Sequence, residues 1–252
     1  MPLRIKIVLE SIGNSYFQIP VNYNYILQSM IYNNITEKLA DFLHKKGYQF
    51  GKRQYRMFVF SRIYGKFRYL TEAKKLQIQD KFYFYLSSPH TEILEKFAEN
   101  VIKKPEMRMG KNNLFVASIE VIRRKIFPES FFIKMLSPLT IHSTLSRADG
   151  KKKTYYYSPF EKEFSELINK NIMKKYTAYF GQEGNGKINV EPHKVSNRNE
   201  VITRFKSTII KGWTGIYRLS GSPDLILFSY DTGLGDRNSQ GFGMWEEWEK
   251  SS

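Results

Sequence analysis

The sequence predicts an α+β protein built from two consecutive βαββαβ halves. Segments with strand and helix periodicity follow one another in the order strand, helix, strands, helix, strands. The same order restarts after a basic, proline-containing stretch at 123–128. The 252 residues, of which 41% are hydrophobic, are enough for a core in each half. We therefore expect one domain over residues 1–124 and a second over 129–250.

The first half contains two predicted helices. The pattern from Asn22 to Lys46 is helical and ends at Gly47, which suits a helix C-cap. Ser88 and Pro89 are predicted as the N-cap and the first residue of the second helix. The predicted strands of this half are 3–10, 56–63, 76–86, a short segment near Met107, and 114–122.

The second half repeats this order around a helix that is predicted from Pro159 to about Phe180 and stops at Gly181. Residues 224–230 fit a buried strand or a short helix equally well. The predicted strands are 131–142, interrupted by Pro138, then 188–194, 201–210 and 215–219. The doubled order is that of two tandem ferredoxin-like, or RRM-like, domains, in which an open sheet face often binds single-stranded RNA.

The charge of the chain favours a nucleic acid as its partner. The 40 Lys and Arg residues outnumber the 24 Asp and Glu residues, which gives a formal net charge of +16. The excess is clustered, because the stretch 44–75 holds ten cations and one acid, Glu72. A second basic loop at 147–153 leads into three tyrosines at 155–157, which combines phosphate-binding charge with stacking faces. No long helix has one basic and one apolar face, so a membrane surface is the less favoured partner.

The composition excludes several chemistries. The absence of Cys rules out disulfides, thiolate nucleophiles, Cys-ligated zinc and iron–sulfur clusters. His44, His90, His142 and His193 are at least 46 residues apart, so no spacing typical of a metal site exists and no cofactor is expected. No apolar run approaches the ~18 residues of a transmembrane helix, and the N-terminus does not resemble a signal peptide. A cytoplasmic protein is therefore predicted.

A glycine loop near the end of the chain is the most distinctive string of the sequence. Gly233 and Gly235 form one Gly-x-Gly pair, and Gly241 and Gly243 form another after five polar residues. The spacing predicts tight turns and a close approach of the backbone to a neighbouring group. It matches neither a dinucleotide-binding GxGxxG nor a GxxxxGK[ST] phosphate loop. From the residues alone, a structural turn and an anion-binding loop are equally supported.

Together with two other motifs, this loop resembles a known family. The motifs are the Gly-Leu-Gly-x5-Gly-Phe-Gly-Met ending (233–244), the segment Ile-Pro-Val-Asn-Tyr-Asn-Tyr-Ile-Leu-Gln-Ser-Met-Ile-Tyr (19–32) and Phe-Val-Phe-Ser (58–61). Over nearly its whole length the chain is similar to the CRISPR repeat-RNA processing endoribonucleases of the RAMP superfamily. The resemblance implies two tandem ferredoxin-like domains. It also implies metal-independent cleavage of CRISPR repeat RNA into guide RNAs, leaving a 2′,3′-cyclic phosphate and a 5′-hydroxyl.

The resemblance also implies a set of catalytic residues. The family's Tyr corresponds to Tyr32 and its His to His44, while its usual Lys corresponds to Arg56, with Lys52 and Arg53 nearby. Attack of the 2′-hydroxyl on phosphorus requires a base, an acid for the 5′-oxygen and a cation for the phosphorane. Histidine exchanges protons near neutral pH more readily than tyrosine, so we expect His44 to carry the principal proton transfer and Tyr32 to orient or assist. Which of the two is the acid, and which cation replaces the Lys, stays open.

The spacing of these two residues imposes a geometric condition. Tyr32 and His44 are 12 positions apart, which on one straight helix means about 18 Å along the axis and ~120° around it. They could not share a phosphate in that arrangement. We therefore expect the helix to break at 33–36, with Thr36 as the N-cap of a second helical piece.

Further residues are predicted to bind RNA because they are basic or belong to the glycine loop. They are Lys45, Lys46, Arg53, Arg147, Lys151, Lys152, Lys153, Gly233, Gly235, Arg237, Asn238, Gly241 and Gly243. The predicted partner is CRISPR repeat RNA, and other CRISPR effector subunits and a second copy of the chain are further predicted partners.

Several alternatives stay open. The protein could be a non-catalytic RNA-binding RAMP subunit of an effector complex, or an RNA-binding module unrelated to CRISPR. His44 in the last turn of a helix could act only on the helix dipole, and Tyr32 has the spacing of a core residue.

Overall fold

The structure is a computed structural model that describes residues 3–13, 16–123, 125–146, 150 and 152–249. The elements of the first half are β1 (Leu3–Ser11), β2 (Tyr16–Pro20), α1 (Asn24–Asn33), α2 (Glu37–Asp41), β3 (Tyr48–Phe50), β4 (Arg53–Tyr55), β5 (Val59–Phe60), β6 (Tyr64–Leu70), β7 (Lys75–Ser88), α3 (Thr91–Lys103), β8 (Glu106–Met109) and β9 (Asn112–Ile122).

The first sheet has the strand order of a ferredoxin-like domain. β1 lies between β7 and β9 and is antiparallel to both, and β5 pairs with the outer edge of β7. Ile5, Ile7 and Leu9 alternate along β1 and are at most 2% exposed, as expected for the inner face of a sheet. Buried side chains of α1 and α3 complete this core. β7 is long enough to pair with β2 and β6 as well.

The second half repeats this architecture. Its elements are β10 (Ser130–Met135), β11 (His142–Ser146), β12 (Lys152–Tyr156), α4 (Glu163–Phe180), β13 (Ile188–Lys194), β14 (Glu200–Phe205), β15 (Thr208–Trp213), β16 (Ile216–Gly221), α5 (Pro223–Thr232) and β17 (Trp245–Glu247). The order β13-β16-β10-β17 is again that of a ferredoxin-like sheet. The prediction of two tandem ferredoxin-like domains is confirmed. Among the described residues, no helix is long and apolar enough to span a membrane.

The segment 224–230, which sequence periodicity left undecided, is helical. It belongs to α5, where Pro223 occupies the first helical position. Leu225, Ile226 and Phe228 are each at most 3% exposed. A short helix that is buried on several sides has no polar face, and this is why its pattern could not be told from that of a buried strand.

Some predicted boundaries are wrong for local reasons. His90, not Ser88, is the N-cap of α3, because the Ser88 hydroxyl is used elsewhere. It accepts from the N–H of His90 (3.0 Å) and donates to the carbonyl of Met57 (2.7 Å). Of the predicted strand 56–63, the structure keeps only β5. The predicted strand 201–210 is two strands, β14 and β15.

Other elements depart from the sequence prediction as well. The β14–β15 turn contains Lys206, whose φ of +54° ends the first strand. β10 ends at Met135 rather than continuing through 142, and α4 begins at Glu163 rather than Pro159. Among the strands that were not predicted, β6 mixes exposed aromatic and charged side chains, and β2 has only five residues and ends at a proline.

The predicted break in the long first helix is confirmed. α1 ends at Asn33, and Thr36 caps α2 by accepting a hydrogen bond from the N–H of Leu39 (3.4 Å). The chain continues from α2 into a π-helical turn, Phe42–Lys46, which ends at Gly47. The two predicted catalytic residues of this region are therefore not on one straight helix.

A buried cation joins the two domains. Arg4 on β1 is only 2% exposed and donates to the carbonyls of Trp245 (2.8 Å) and Tyr230 (2.9 Å) in the second domain. Its guanidinium also lies 3.6 Å above the ring of Tyr230. Because Tyr230 is near the end of α5, this contact fixes the point from which the glycine loop departs.

Candidate active site at the domain interface

His44 lies on the π-helical turn, and the β3–β4 hairpin and the residue after it hold that turn. Gln54 donates from Nε2 to the carbonyls of Lys45 (2.7 Å) and Lys46. Arg56 donates from Nη2 to the carbonyl of His44 (3.3 Å). These bonds satisfy carbonyls that the end of a helix leaves without partners. His44 itself is exposed to solvent.

Tyr32 contacts the same arginine from α1. Its half-buried ring packs edge-on against Phe58, with the ring centroids 5.6 Å apart. Burial raises the pKa of Tyr32, and the charge and hydrogen bond of Arg56 offset only part of that increase. The phenol therefore keeps its proton at neutral pH. Arg56 thus contacts both residues to which proton transfer was assigned.

The neighbouring cations occupy different positions. Lys52 is exposed in the turn between β3 and β4. Lys45 forms an ion pair with Asp41 at 2.5 Å, one helical turn away. Arg53 points towards the glycine loop, with Nη1 3.9 Å from Oδ1 of Asp236. Arg56, rather than Lys52, is the cation next to the predicted catalytic pair.

The glycine loop, residues 233–243, is folded tightly against the first domain. Its four glycines have φ values from +66° to +85°, a region that favours glycine, and all four are buried. A Cβ at Gly243 would overlap the carbonyl oxygen of Leu234, and one at Gly241 would overlap the ring of Phe60. The close approach that the sequence predicted is therefore to the protein itself, and a contact of these glycines with RNA stays a prediction.

α1 binds the glycine loop directly. Asn24 donates from Nδ2 to the carbonyl of Gln240 (2.8 Å), and Gln28 donates from Nε2 to that of Ser239 (2.6 Å). Asn24 and Gln28 belong to the 19–32 motif. Two of the motifs that carry the resemblance thus meet at one interface, which also positions Tyr32 at the far end of α1.

A buried lysine supports the loop from the other side. Lys175 on α4 is 2% exposed and donates from Nζ to the carbonyl of Gly233 (2.5 Å) and to Oδ1 of Asn238 (3.0 Å). Burial lowers its pKa to about 7, against a weaker opposing effect of the charge on Asp236. The ammonium group is held by the loop rather than by a salt bridge.

Asp236, which belongs to the loop itself, is the second buried charge of this region. Its Oδ1 accepts from Nδ2 of Asn171 (2.7 Å), and its Oδ2 accepts from the N–H of His142 (3.0 Å) and lies 2.8 Å from Nδ1 of the same residue. Burial alone would raise the pKa of this carboxyl, but the bonds and charge of His142 and the charge of Arg53 hold it below its ordinary value. Asp236 is therefore ionised and occupied on both oxygens.

The sequence reasoning did not identify Asn171, Lys175, Asp236 or His142 as residues of this site. A signal for two of them exists on α4. Phe164, Ile168 and Ile172 form a buried stripe at helical spacing, and Asn171 and Lys175 continue the same face. Polar residues on an apolar helix face are candidates for a buried network or a binding site.

A cavity of about 400 Å³ opens between these groups. Its lining combines residues predicted from the sequence with residues that were missed, among them Arg53, Arg56, Arg237, Asn238, His142, Asn171, Lys175 and Asp236. Arg53 and Arg56 of the first domain thus face the glycine loop of the second domain across one cavity.

The second basic loop lies elsewhere. Lys152 and Lys153 are exposed on β12, which pairs with β11, and neither lines the cavity. Arg147 and Lys151 fall outside the described residues. Within the described ranges, no group of three or more His, Asp or Glu residues is arranged to hold a metal ion.

Family models match both halves of the chain. The model "CRISPR-associated protein Cas6, N-terminal" matches residues 18–120, and the model "CRISPR associated protein Cas6, C-terminal" matches residues 122–247.

Named relatives match over nearly the full length. "CRISPR-associated endoribonuclease Cas6 1" of Methanocaldococcus jannaschii is 30% identical, covering 95% of this chain and 91% of the relative. "CRISPR-associated endoribonuclease Cas6" of Pyrococcus furiosus is 31% identical, covering 97% and 89%. A solved structure described as "An RAMP protein binding different RNA substrates" is 25% identical with a TM-score of 0.83, covering 98% of this chain and 100% of that one. The resemblance read from the motifs is confirmed: the chain belongs to the Cas6 family of CRISPR-associated endoribonucleases.

Proposed function

We propose that this protein cleaves CRISPR repeat RNA where the exposed His44 lies beside the half-buried Tyr32 and Arg56, without a metal ion. The observation that supports this assignment is the position of Arg56. Its guanidinium donates to the backbone carbonyl of His44 (3.3 Å) and lies close enough to the Tyr32 hydroxyl to oppose the rise of its pKa. A phosphodiester transesterification requires a cation near its two proton-transfer groups, and Arg56 contacts the backbone of His44 and the side chain of Tyr32.

The proposed step is an in-line displacement at phosphorus. The 2′-oxygen loses its proton to a base and bonds to phosphorus, while the bond to the 5′-oxygen breaks and that oxygen takes up a proton. The products are a 2′,3′-cyclic phosphate and a 5′-hydroxyl. Arg56 stabilises the charge on the phosphorane, and His44 carries the principal proton transfer from its exposed position. Tyr32, which keeps its proton, donates a hydrogen bond to the reacting group.

We assign RNA contacts to residues around this site. Arg53, Arg237 and Asn238 line the cavity beside it, and Lys45, Lys46, Lys52, Lys152 and Lys153 supply exposed charge. Contacts by Arg147, Lys151 and the four loop glycines are part of the same proposal.

The proposal also includes a domain boundary, a cellular location and an association with other chains. The domain boundary lies between 124 and 129, and the protein acts in the cytoplasm, where repeat transcripts arise. It also associates with a second copy or with other CRISPR effector subunits. Light scattering of the purified protein, alone and with effector subunits, tests the association.

Cleavage in EDTA tests the function. Repeat RNA from an array of the same genome is incubated with the protein, beside a copy with a 2′-deoxy sugar at the scissile nucleotide. We expect the first RNA to be cut once per repeat, with a 2′,3′-cyclic phosphate end, and the second to stay intact. No cut in the first RNA would favour the non-catalytic RAMP subunit, and a cut in the second would exclude attack by the 2′-oxygen.

Two substitutions identify the cation. Arg56→Ala should slow cleavage by about 100-fold or more, since a positioned cation acts on the transition state. Lys52→Ala, in the exposed turn nearby, should act mainly on RNA affinity. The reverse pattern, measured in single-turnover assays at saturating protein, would assign the phosphorane contact to Lys52.

A further inference from the structure

The cavity beside Arg56 has more polar groups than the proposed cleavage step uses. Tyr32 and His44 do not line it, whereas Arg53, Asn171 and Arg237 do. Its volume of about 400 Å³ is in the range of pockets that hold a small organic ligand. Arg56 lines it as well, so the cavity begins where the proposed scissile phosphate would sit.

One buried acceptor in this cavity has no partner. Asn171 is 3% exposed, and its Oδ1 accepts no hydrogen bond from any described residue. The orientation of the amide is fixed, because its Nδ2 donates to Oδ1 of Asp236 at 2.7 Å. A buried acceptor without a partner is unfavourable, and a ligand N–H or O–H would satisfy it.

The charges of the cavity favour a ligand that carries a phosphate beside the N–H or O–H group that would donate to Asn171. Arg53 has a half-exposed side chain, and the Nε of Arg237 is buried without a partner among the described residues. The one carboxylate of the lining, Asp236, has both oxygens engaged by Asn171 and His142. The lining therefore offers a ligand the Nε of Arg237, the half-exposed guanidinium of Arg53 and the amide oxygen of Asn171. Nη1 of Arg237 already donates to Oε1 of Gln240 (3.2 Å), and the Tyr55 hydroxyl is a further buried group without a partner among the described residues.

We propose that this cavity is a nucleotide subsite. It takes the nucleotide next to the scissile phosphate, with its phosphate on Arg53 and Arg237 and an N–H or O–H of its base or ribose on Asn171 Oδ1. This inference rests on the proposed function for the place of the scissile phosphate. A ribonucleotide supplies both an anion and a hydrogen-bond donor, whereas a free inorganic anion such as sulfate supplies only the first.

Binding of a cleavage-resistant repeat RNA tests the subsite. The RNA carries a 2′-deoxy sugar at the scissile nucleotide and an abasic residue at one position at a time. Its affinity is measured in EDTA by fluorescence anisotropy for the wild type and for Asn171→Ala. We expect one abasic position next to the scissile phosphate to weaken wild-type binding about fivefold or more, which is about 1 kcal/mol. The same change should weaken Asn171→Ala less than twofold, because the interaction is already lost. Equal effects in the two proteins at every position would overturn the subsite.

A second variant, Arg53→Ala, tests the proposed contact with the phosphate and does not change a buried residue. A neutral methylphosphonate at the matching phosphate should weaken wild-type binding and have little further effect on Arg53→Ala. Arg108→Ala, an exposed arginine on β8 away from the cavity, is the matched control and should respond as the wild type does. If Asn171→Ala fails to fold, this arm decides, and a methylphosphonate effect that is unchanged in Arg53→Ala contradicts the proposal.

Titration with free mononucleotides tests whether the cavity binds a nucleotide of the RNA or a free nucleotide. Titration calorimetry with AMP, CMP, GMP and UMP should show no binding below about 1 mM, because one nucleotide lacks the rest of the RNA interface. Tight binding of a mononucleotide that leaves RNA affinity unchanged would assign the cavity to a free ligand and overturn the proposal. A protein that binds RNA with this pattern but never cuts would keep the subsite and lose the proposed function.

Discussion

His44 and Tyr32 lie on a helix that breaks at 33–36 and ends in a π-helical turn, and His44 is open to solvent. The glycine loop across the interface is buried and is hydrogen-bonded by α1, α4 and its own carbonyls. The first region presents reactive groups with few protein partners, and the second has almost every polar group engaged.

Because of this difference, we expect substitutions in the two regions to affect different properties of the protein, the cleavage rate in one and the stability in the other. Substitution of the exposed His44 removes a group proposed to meet RNA and leaves the packing intact. A substitution in the loop or beneath it removes a contact on which the domain interface depends. We therefore expect losses of rate without losses of stability on one side, and losses of stability on the other.

The largest effect is expected from His44→Ala. Cleavage under single-turnover conditions should fall by about 100-fold to 10,000-fold, because a positioned acid or base is lost. RNA affinity and the thermal midpoint should stay close to those of the wild type, since His44 is exposed. His193→Ala, which loses ring contacts with Phe132 and Trp248 (centroids 4.2 and 6.3 Å apart) away from the proposed site, is the matched control. A full cleavage rate in His44→Ala would assign the proton transfer elsewhere.

Gly243→Ala should have the next largest effect, on stability. Its φ is +81°, and a Cβ would overlap the carbonyl oxygen of Leu234. We expect a loss of about 3 kcal/mol or more in the free energy of unfolding, measured by urea denaturation.

Gly51→Ala tests the cause of that loss. Gly51 also has a positive φ, +56°, but nothing lies within 4 Å of the Cβ position. The variant should lose only about 1 kcal/mol, the conformational part of the effect. Equal losses in the two variants would mean that the close packing of the glycine loop contributes nothing.

The same contrast governs what the sequence could predict. The helix break was predictable because Thr36 is a good N-cap and because a shared phosphate required it. The order of strands and helices followed from periodicity. Tyr32, His44 and Arg56 were predicted from a family resemblance and from chemical roles, which depend on local motifs.

The buried support could not be predicted in the same way. Lys175 and Asp236 are 61 positions apart and belong to different elements. Lys175 lies in no motif, and Asp236 occupies one of the five positions between the glycine pairs, which the motif leaves unspecified. Their burial depends on how α4 and the glycine loop pack, which is a tertiary property. The contacts of the loop could not be predicted either. The glycines indicate a close approach of the backbone, but the sequence does not show that it approaches Phe60 and Leu234.

Lys175 gives a pH-dependent test of the buried side. Its pKa is lowered to about 7 in the folded protein, whereas it is ~10.4 in an unfolded chain. Between these values the unfolded state binds more protons, so stability should rise with pH above 7. The stability of the wild type relative to Lys175→Met should grow by about 1–3 kcal/mol between pH 7 and pH 9.

A second lysine of α4 provides the comparison for that measurement. Lys170→Met removes an exposed side chain of the same helix and should keep the wild-type dependence of unfolding on pH. A stability difference for Lys175→Met that is flat or falls with rising pH would contradict burial of this ammonium beneath the loop.

Thr36→Ala should have the smallest effect and lies between the two regions. The Thr36 hydroxyl accepts from the N–H of Leu39, so its loss should reduce the free energy of unfolding by about 0.5–1 kcal/mol. Because α2 leads into the turn that carries His44, a frayed start of α2 should also slow cleavage by a few-fold while the affinity for RNA is kept. Thr36→Ser, which retains the capping oxygen, should restore both values. Wild-type cleavage with the full stability loss in Thr36→Ala would show that the break separates the two helical pieces without positioning His44.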